Sequence, residues 1–303
     1  MSELLKNIDA RTRLAGTNKL EILMFTLGAD PVSSRRETYG INVFKVREVM
    51  RAPAITRAPE MPDTVVGMVS LRGKLVPVVD LASHAGVGGG STPEIMIVTE
   101  YNGLTQGFLV EAVDTILRLD WSSMRVPPEM LSAKTGGLVT AVTELEDGRL
   151  IMMLDVEKIL AETTQYENDA LFSGINVEAP PGRTVFFADD SSVARRQIAR
   201  TLETIKVGHM SAINGSQAWR ELKRIADSAQ SSGKQVRDFI QLVLTDVEMP
   251  EMDGYMLTRQ IKSDPRFAGV PVIMHSSLSG NSNQQLGHSV GIDDYVSKFE
   301  PQR

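Results

Sequence analysis

The apolar residues of this chain change their rhythm once, at Ala179-Pro180-Pro181-Gly182, and the change limits what either side can fold into. Before it, short β-like runs follow one another with only turns between them. They cover Leu20–Leu27, Tyr39–Phe44, Val65–Leu71, Lys74–Val79, Glu94–Thr99, Thr105–Val110, Asp114–Leu119 and Arg149–Leu154. Gly28-Ala29-Asp30-Pro31, Arg72-Gly73, Tyr101-Asn102-Gly103 and Glu146-Asp147-Gly148 supply the turns. Short strands at this spacing predict an all-β sandwich or barrel over residues 20–160, with Val156–Leu160 opening a closing helix. After the Pro-Pro step, strand-length runs alternate with amphipathic stretches. Strands are expected at Thr184–Ala188, His209–Ile213, Phe239–Leu244, Val270–Met274 and Ile292–Val296. Helices are expected to open at Ser191-Ser192 and to cover Ser216–Ser228, Met252–Ser263 and Asn283–Val290. Strand–helix alternation gives a doubly wound parallel α/β sheet over 183–303. Residues 161–182 read as a linker ending in a stiff hinge. Residues 1–19 read as a short amphipathic helix or tail.

Composition narrows the function classes. A chain of 303 residues, 42% hydrophobic and 23% charged, has material for two soluble cores. The net charge is −6 and no Lys/Arg-rich run is present, so the electrostatic footprint of a nucleic-acid binder is missing. With no cysteine there are no disulfides and no thiolate metal sites. No apolar run approaches the ~20 residues that span a bilayer, and the N-terminus lacks the pattern of a signal peptide. The expected location is the cytoplasm.

Chemistry concentrates at the ends of the later strands. Val185-Phe186-Phe187-Ala188 leads into Asp189-Asp190, Leu242-Val243-Leu244 into Asp246, and Val272-Ile273-Met274 into Ser276; Lys298 follows the last strand. In an open parallel sheet the carboxyl ends of the strands gather at one edge, where such folds bind ligands. Three carboxylates, a hydroxyl and an ammonium would therefore share a pocket. That is the equipment for Mg²⁺ binding and phosphoryl transfer to a carboxylate.

The run Leu244-Thr245-Asp246-Val247-Glu248-Met249-Pro250-Glu251-Met252-Asp253-Gly254 resembles the signature of two-component receiver domains. The spacings of 30 residues from Asp246 to Ser276 and 22 from Ser276 to Lys298 agree with it. The resemblance implies that Asp246 is the phosphoacceptor and that Asp189, Asp190 and Asp246 hold Mg²⁺ together with the backbone carbonyl of Glu248. It implies that Ser276 is the hydroxyl switch, that Lys298 binds the phosphoryl group and that Tyr295 is the rotating aromatic. Three departures stand out. Phe299 replaces the usual proline after Lys298. The stretch between Asp190 and Asp246 is long, with Ser228–Gly233 expected as an extended loop. A fifth helix is not seen before Arg303.

The first half carries no catalytic motif; the Gly-rich run after His84 has no phosphate-cradle partner residues. Two of its segments resemble the CheW-type coupling domain of bacterial chemotaxis. They are Tyr39-Gly40-Ile41-Asn42-Val43-Phe44-Lys45-Val46-Arg47-Glu48-Val49 and Gly67-Met68-Val69-Ser70-Leu71-Arg72-Gly73-Lys74-Leu75-Val76-Pro77-Val78-Val79-Asp80-Leu81. The resemblance implies a pair of small β-barrels that bridge chemoreceptor tips to a histidine kinase, with Val46, Glu48 and Arg72 as partner contacts. The bland alternative has Val46 in the core and Glu48 paired with Arg72.

A coupling domain followed by one receiver implies a chemotaxis adaptor tuned by phosphorylation at Asp246. It would have chemoreceptor tips and the histidine kinase as partners, a place at receptor arrays on the inner membrane, Mg²⁺ as cofactor, and no enzymatic role beyond slow loss of its own phosphate. The alternative is a receiver-regulated phosphatase or a phosphate-sink protein. A transcriptional regulator would need a basic recognition helix, which the sequence lacks.

Overall fold

The computed structural model describes residues 19–29, 34–57, 59–62, 64–87, 93–101, 104–128, 130, 136–164, 179–276 and 281–298. The N-terminal tail, most of the linker, the Asn102-Gly103 turn, the Gly-rich run after Val87, Phe299 and the residues beyond it lie outside these. The chain forms two compact units.

Among its described residues the first unit holds ten strands: β1 (Lys19–Ala29), β2 (Arg36–Asn42), β3 (Val46–Arg51), β4 (Val65–Leu71), β5 (Lys74–Asp80), β6 (Ile95–Tyr101), β7 (Leu104–Val110), β8 (Ala112–Asp120), β9 (Val139–Glu144) and β10 (Leu150–Leu154). They make two five-stranded sheets, ordered β8-β1-β2-β10-β9 and β3-β6-β7-β5-β4. Each sheet has one parallel pair, β2 with β10 and β5 with β7, while the other registered pairs are antiparallel.

Both sheets close. β3 and β4 stand at opposite ends of the second sheet, yet Glu48 on β3 and Arg72 at the tip of the β4–β5 hairpin lie 2.9 Å apart. In the first sheet, Arg125, a few residues past edge strand β8, exchanges two 2.8 Å backbone hydrogen bonds with Val142 on the opposite edge strand β9. Closure leaves each sheet its own apolar filling. Leu20, Ile22, Met24, Met124 and Ile151 fill one barrel, and Val69, Val76, Val78, Met96 and Val98 the other. A third core lies between the sheets, where Phe25, Tyr39 and Ile41 of the first meet Ile97, Phe108 and Val79 of the second. Alternate residues of one strand thus serve two cores, as strand periodicity demands. The double-barrel reading of the sequence agrees with this arrangement.

Among the described residues the unit also has the helices α1 (Leu81–His84) and α2 (Val156–Thr164). Asp155 caps α2 by accepting hydrogen bonds from the backbone N–H of Glu157 and Lys158 at 3.1 and 3.0 Å. Glu157 is buried and pairs with Lys45, in the turn before β3, at 2.8 Å.

The second unit is a five-stranded parallel sheet: β11 (Thr184–Ala188), β12 (Gly208–Ala212), β13 (Leu242–Thr245), β14 (Val272–Ser276) and β15 (Asp294–Ser297). Its order is β12-β11-β13-β14-β15 with every registered pair parallel. The order reverses between β11 and β13, which places the ligand crevice at their carboxyl ends. The helices are α3 (Ser192–Thr204), α4 (Gly215–Ser231), α5 (Gly254–Ser263) and α6 (Asn281–Val290). Ser191, Asn214 and Asp253 cap the first three through side-chain oxygens. Phe186, Ala188, Val243 and Val272 pack under Leu222, Ala226, Leu257 and Ile261 of α4 and α5. A smaller cluster of Val247, Tyr255, Met274, Val290, Ile292 and Tyr295 lies toward β15.

Three local expectations need correction. β3 and β9 were not expected as strands. Most of the extended loop expected over Ser228–Gly233 is instead the last turn of α4, which runs to Ser231 with Ser232 as its cap. The third strand of the parallel sheet starts at Leu242 and not at Phe239, because Val236–Asp238 forms a 3-10 turn that ends with Phe239.

Candidate functional site

The acidic pocket forms where the order of the sheet predicts it. Chain leaving β11 carries Asp189 and Asp190; chain leaving β13 carries Asp246. Their carboxylate oxygens lie within 4.8 Å of one another. Asp189 is fully buried, Asp246 is buried and Asp190 is half-exposed, so the pocket opens to solvent on the Asp190 side. Lys298, past the end of β15, reaches into it: its Nζ is 2.8 Å from Asp189 Oδ2 and 3.0 Å from Asp246 Oδ2. At 2% exposure this ammonium has given up nearly all its water, and the two carboxylates replace that solvation.

Backbone groups hold the acids in place. Ser191 N–H donates to Asp189 Oδ1 at 2.9 Å, and Val247 N–H donates to Asp246 Oδ1 at 2.7 Å. Thr245 donates its hydroxyl to the Asp246 carbonyl at 2.9 Å. Glu248 is buried two residues beyond Asp246. Ser276 ends β14, 1% exposed, and its carbonyl accepts from Lys298 N–H at 3.0 Å. Tyr295 is buried and shares a side-chain hydrogen bond with Ser276. Burial pushes its hydroxyl up to about 12, against the pull of that bond. The structure therefore joins Asp189, Asp190, Asp246 and Lys298 directly, and links Tyr295 to Ser276 at one side. Two residues that the sequence reading passed over also belong to the site. Gly254 opens α5 against the Asp246 carbonyl, and Arg195 on α3 contacts the acidic pair from behind. The first is signalled by the Asp-Gly that ends the motif; the second has only its position one turn into a helix.

In the first unit, Arg72 and Gly73 both take positive φ, +50° and +80°, as a two-residue hairpin turn of type I′ requires. Asn or Gly would hold this conformation at less cost than Arg. Arg72 stands out into solvent, its Nη2 2.9 Å from Glu48 Oε2, while Glu48 is largely covered. A shallow depression beside the pair is lined by Arg47, Leu71, Lys74 and Val98. Val46 is 4% exposed and packs in the core between the sheets. It offers no surface of its own and supports the strand that carries Glu48.

A closed double barrel together with a parallel sheet holding an acidic, lysine-bridged pocket is the architecture of a coupling domain with a receiver. Family models match accordingly: a CheW-like domain over residues 21–164 and a response regulator receiver domain over 185–303. Chemotaxis protein CheV3 of Helicobacter pylori is 31% identical over 88% of this chain and 85% of its own length. Chemotaxis protein CheV1 of the same organism is 26% identical over 99% and 96%. Chemotaxis protein CheW of Klebsiella aerogenes is 32% identical over 50% of this chain and 87% of its own. The chain belongs to the CheV family of chemotaxis proteins. It is a chemotaxis coupling adaptor regulated through phosphorylation of its receiver, and the phosphatase alternative is not favoured. Among the described residues, no helix is long and apolar enough to cross a membrane.

Proposed function

We propose that Asp246 is the phosphoacceptor and that the pocket around it holds Mg²⁺. The observation that carries this reading is the Lys298 ammonium between Asp189 and Asp246. Three carboxylates against one ammonium leave a net negative pocket, which suits a hard divalent cation with oxygen ligands. Asp190 and Asp246 would ligate it directly, Asp189 through water, and Glu248 through its carbonyl. When bound, the ion neutralises charge on the phosphoryl oxygens.

An Asp246 carboxylate oxygen attacks the phosphorus of the kinase phosphohistidine. The P–O bond forms, the P–N bond breaks, and the imidazole leaves and takes a proton from solvent. Lys298 then shifts its charge from carboxylate to phosphoryl oxygens, and the Ser276 hydroxyl donates to one of them. That would draw Ser276 away from Tyr295, whose buried ring lines the β15 side of the domain. Slow attack by water on the acyl phosphate returns Asp246 and inorganic phosphate.

On the coupling domain, Arg72 and Glu48 are the contacts for chemoreceptor tips and histidine kinase. The strained turn holding Arg72 supports that role, since strain of this kind persists where function uses it. The adaptor acts in the cytoplasm, at receptor arrays. Incubating the whole protein with phosphorylated kinase and Mg²⁺ tests the site. Label should appear on the wild type and be lost in Asp246→Ala; label persisting in that variant would remove Asp246 from its role.

A further inference from the structure

We infer that Arg195 is a positioning residue for the Mg²⁺ site, acting through the backbone of the acidic pair. The inference rests on the phosphoacceptor reading above. The last ladder bonds of β11 are made by Ala188, whose carbonyl accepts from Asp246 N–H at 2.8 Å, and by Asp189 N–H, which donates to the Ala212 carbonyl at 3.2 Å. Beyond this point the chain leaves the sheet and turns toward α3. Arg195, in the first full turn of α3, folds back to them. One nitrogen, Nη1, donates to both, at 2.7 Å to Asp189 O and 2.8 Å to Asp190 O. The two hydrogens of that nitrogen match two successive carbonyls, and the half-buried guanidinium makes both bonds charge-assisted.

The consequence differs for the two acids. Asp189 has other supports, the Ser191 N–H and the Lys298 ammonium. Asp190 is the half-exposed acid at the solvent side, and Arg195 fixes the backbone from which its carboxylate springs. Fixing both carbonyls fixes the plane of the turn from which both carboxylates spring. Partners that orient metal ligands in this way set affinity without touching the ion. A guanidinium so near the pocket also carries an opposing effect, repulsion of the cation, and the two effects predict opposite outcomes when it is removed.

The test uses the full-length protein with Arg195→Lys and Arg195→Met. Mg²⁺ affinity is measured by calorimetry, with Mn²⁺ paramagnetic resonance as a second probe, and labelling from acetyl phosphate is followed across a Mg²⁺ series. Both variants should bind Mg²⁺ about 10–100-fold more weakly. Saturating Mg²⁺ should restore labelling close to the wild-type level, which damage to the fold would not permit. Unchanged Mg²⁺ affinity in both variants would overturn the inference, and so would tighter binding in Arg195→Met, which would assign the residue a repulsive role. Should Arg195→Met not fold, Arg195→Lys, which keeps the charge and loses the fork, decides alone. A wild-type protein that binds no Mg²⁺ and takes no label would instead sink the phosphoacceptor reading itself.

Discussion

Replacing Gly254 by alanine tests how closely the pocket depends on the helix behind it. Gly254 opens α5 directly after its cap, Asp253, and donates its N–H to the Val247 carbonyl at 2.8 Å. A Cβ on Gly254 would stand 2.0 Å from the Asp246 carbonyl oxygen, 3.0 Å from the Asp246 carbonyl carbon and 3.1 Å from the Val247 Cα. All three are backbone atoms, so no side chain can swing aside. Relieving the first contact needs the start of α5 and the end of β13 to part by roughly 1.5 Å, since packed heavy atoms sit near 3.5 Å. Overpacking of this kind costs about 1–3 kcal/mol. The strain falls on the residue that carries the nucleophile, where a displacement near 1 Å can lower the rate about 100-fold. Stability is best read in a Trp121→Phe background, which leaves Trp219, packed on Phe267 in the receiver, as the reporting fluorophore during urea unfolding. Labelling from acetyl phosphate reads the site. A Gly254→Ala receiver with an unchanged midpoint and wild-type labelling would refute the claim that this approach constrains Asp246.

Other perturbations reach different parts of the molecule. Lys298→Met removes the ammonium between two buried carboxylates and should cost about 3–5 kcal/mol in chelator, with part of the loss recovered in Mg²⁺; equal losses in both conditions would count against a metal site. Arg72→Ala breaks an exposed ion pair and should change stability by less than about 1 kcal/mol while weakening capture by receptor tips and kinase. The charge swap Glu48→Arg with Arg72→Glu should rebuild the pair without restoring capture, and full capture by either variant would take Arg72 out of the interface. Burial raises the Asp253 carboxyl to about 6 from an ordinary 3.8. The folded receiver therefore keeps a proton that the unfolded chain loses between about pH 4 and 6, and stability falls as pH rises through that window. Asp253→Asn, which can still cap α5, should flatten this slope in pH-dependent unfolding; a slope unchanged by the substitution would exclude Asp253 as its source.

The parallel sheet was legible because apolar runs such as Val185–Ala188 are buried on both faces and end in acids that the fold gathers at one edge. The barrels were legible in outline only. β9 alternates strictly, with Val139, Ala141 and Thr143 buried, but small and polar side chains at two of those places hide the pattern. β3, Val-Arg-Glu-Val-Met-Arg, is an edge strand with mostly half-buried positions, so no alternation survives in its sequence. Sheet closure was out of reach of local pattern, because Glu48 and Arg72 meet only after β6, β7 and β5 are laid between them. The contacts of Arg195 escaped for a similar reason: a single arginine on a helix reads as solvated until its side chain is seen to turn back. Ser228–Gly233 looked like a loop because serine and glycine disfavour helix interiors, yet Ser231 and Ser232 bond their hydroxyls back to Asp227 and Ser228 and carry the last turn.

That last turn of α4 has a practical use. The helix begins beside the pocket, with Gly215 against the Met252 backbone, and runs antiparallel to the strands for 17 residues. At 1.5 Å per residue its far end lies about 25 Å away, at the opposite edge of the sheet. Since the chain has no cysteine, one placed at Ser232 would be its only thiol, exposed and remote from the chemistry. A dye attached there could follow the receiver through a phosphorylation cycle without occupying the pocket.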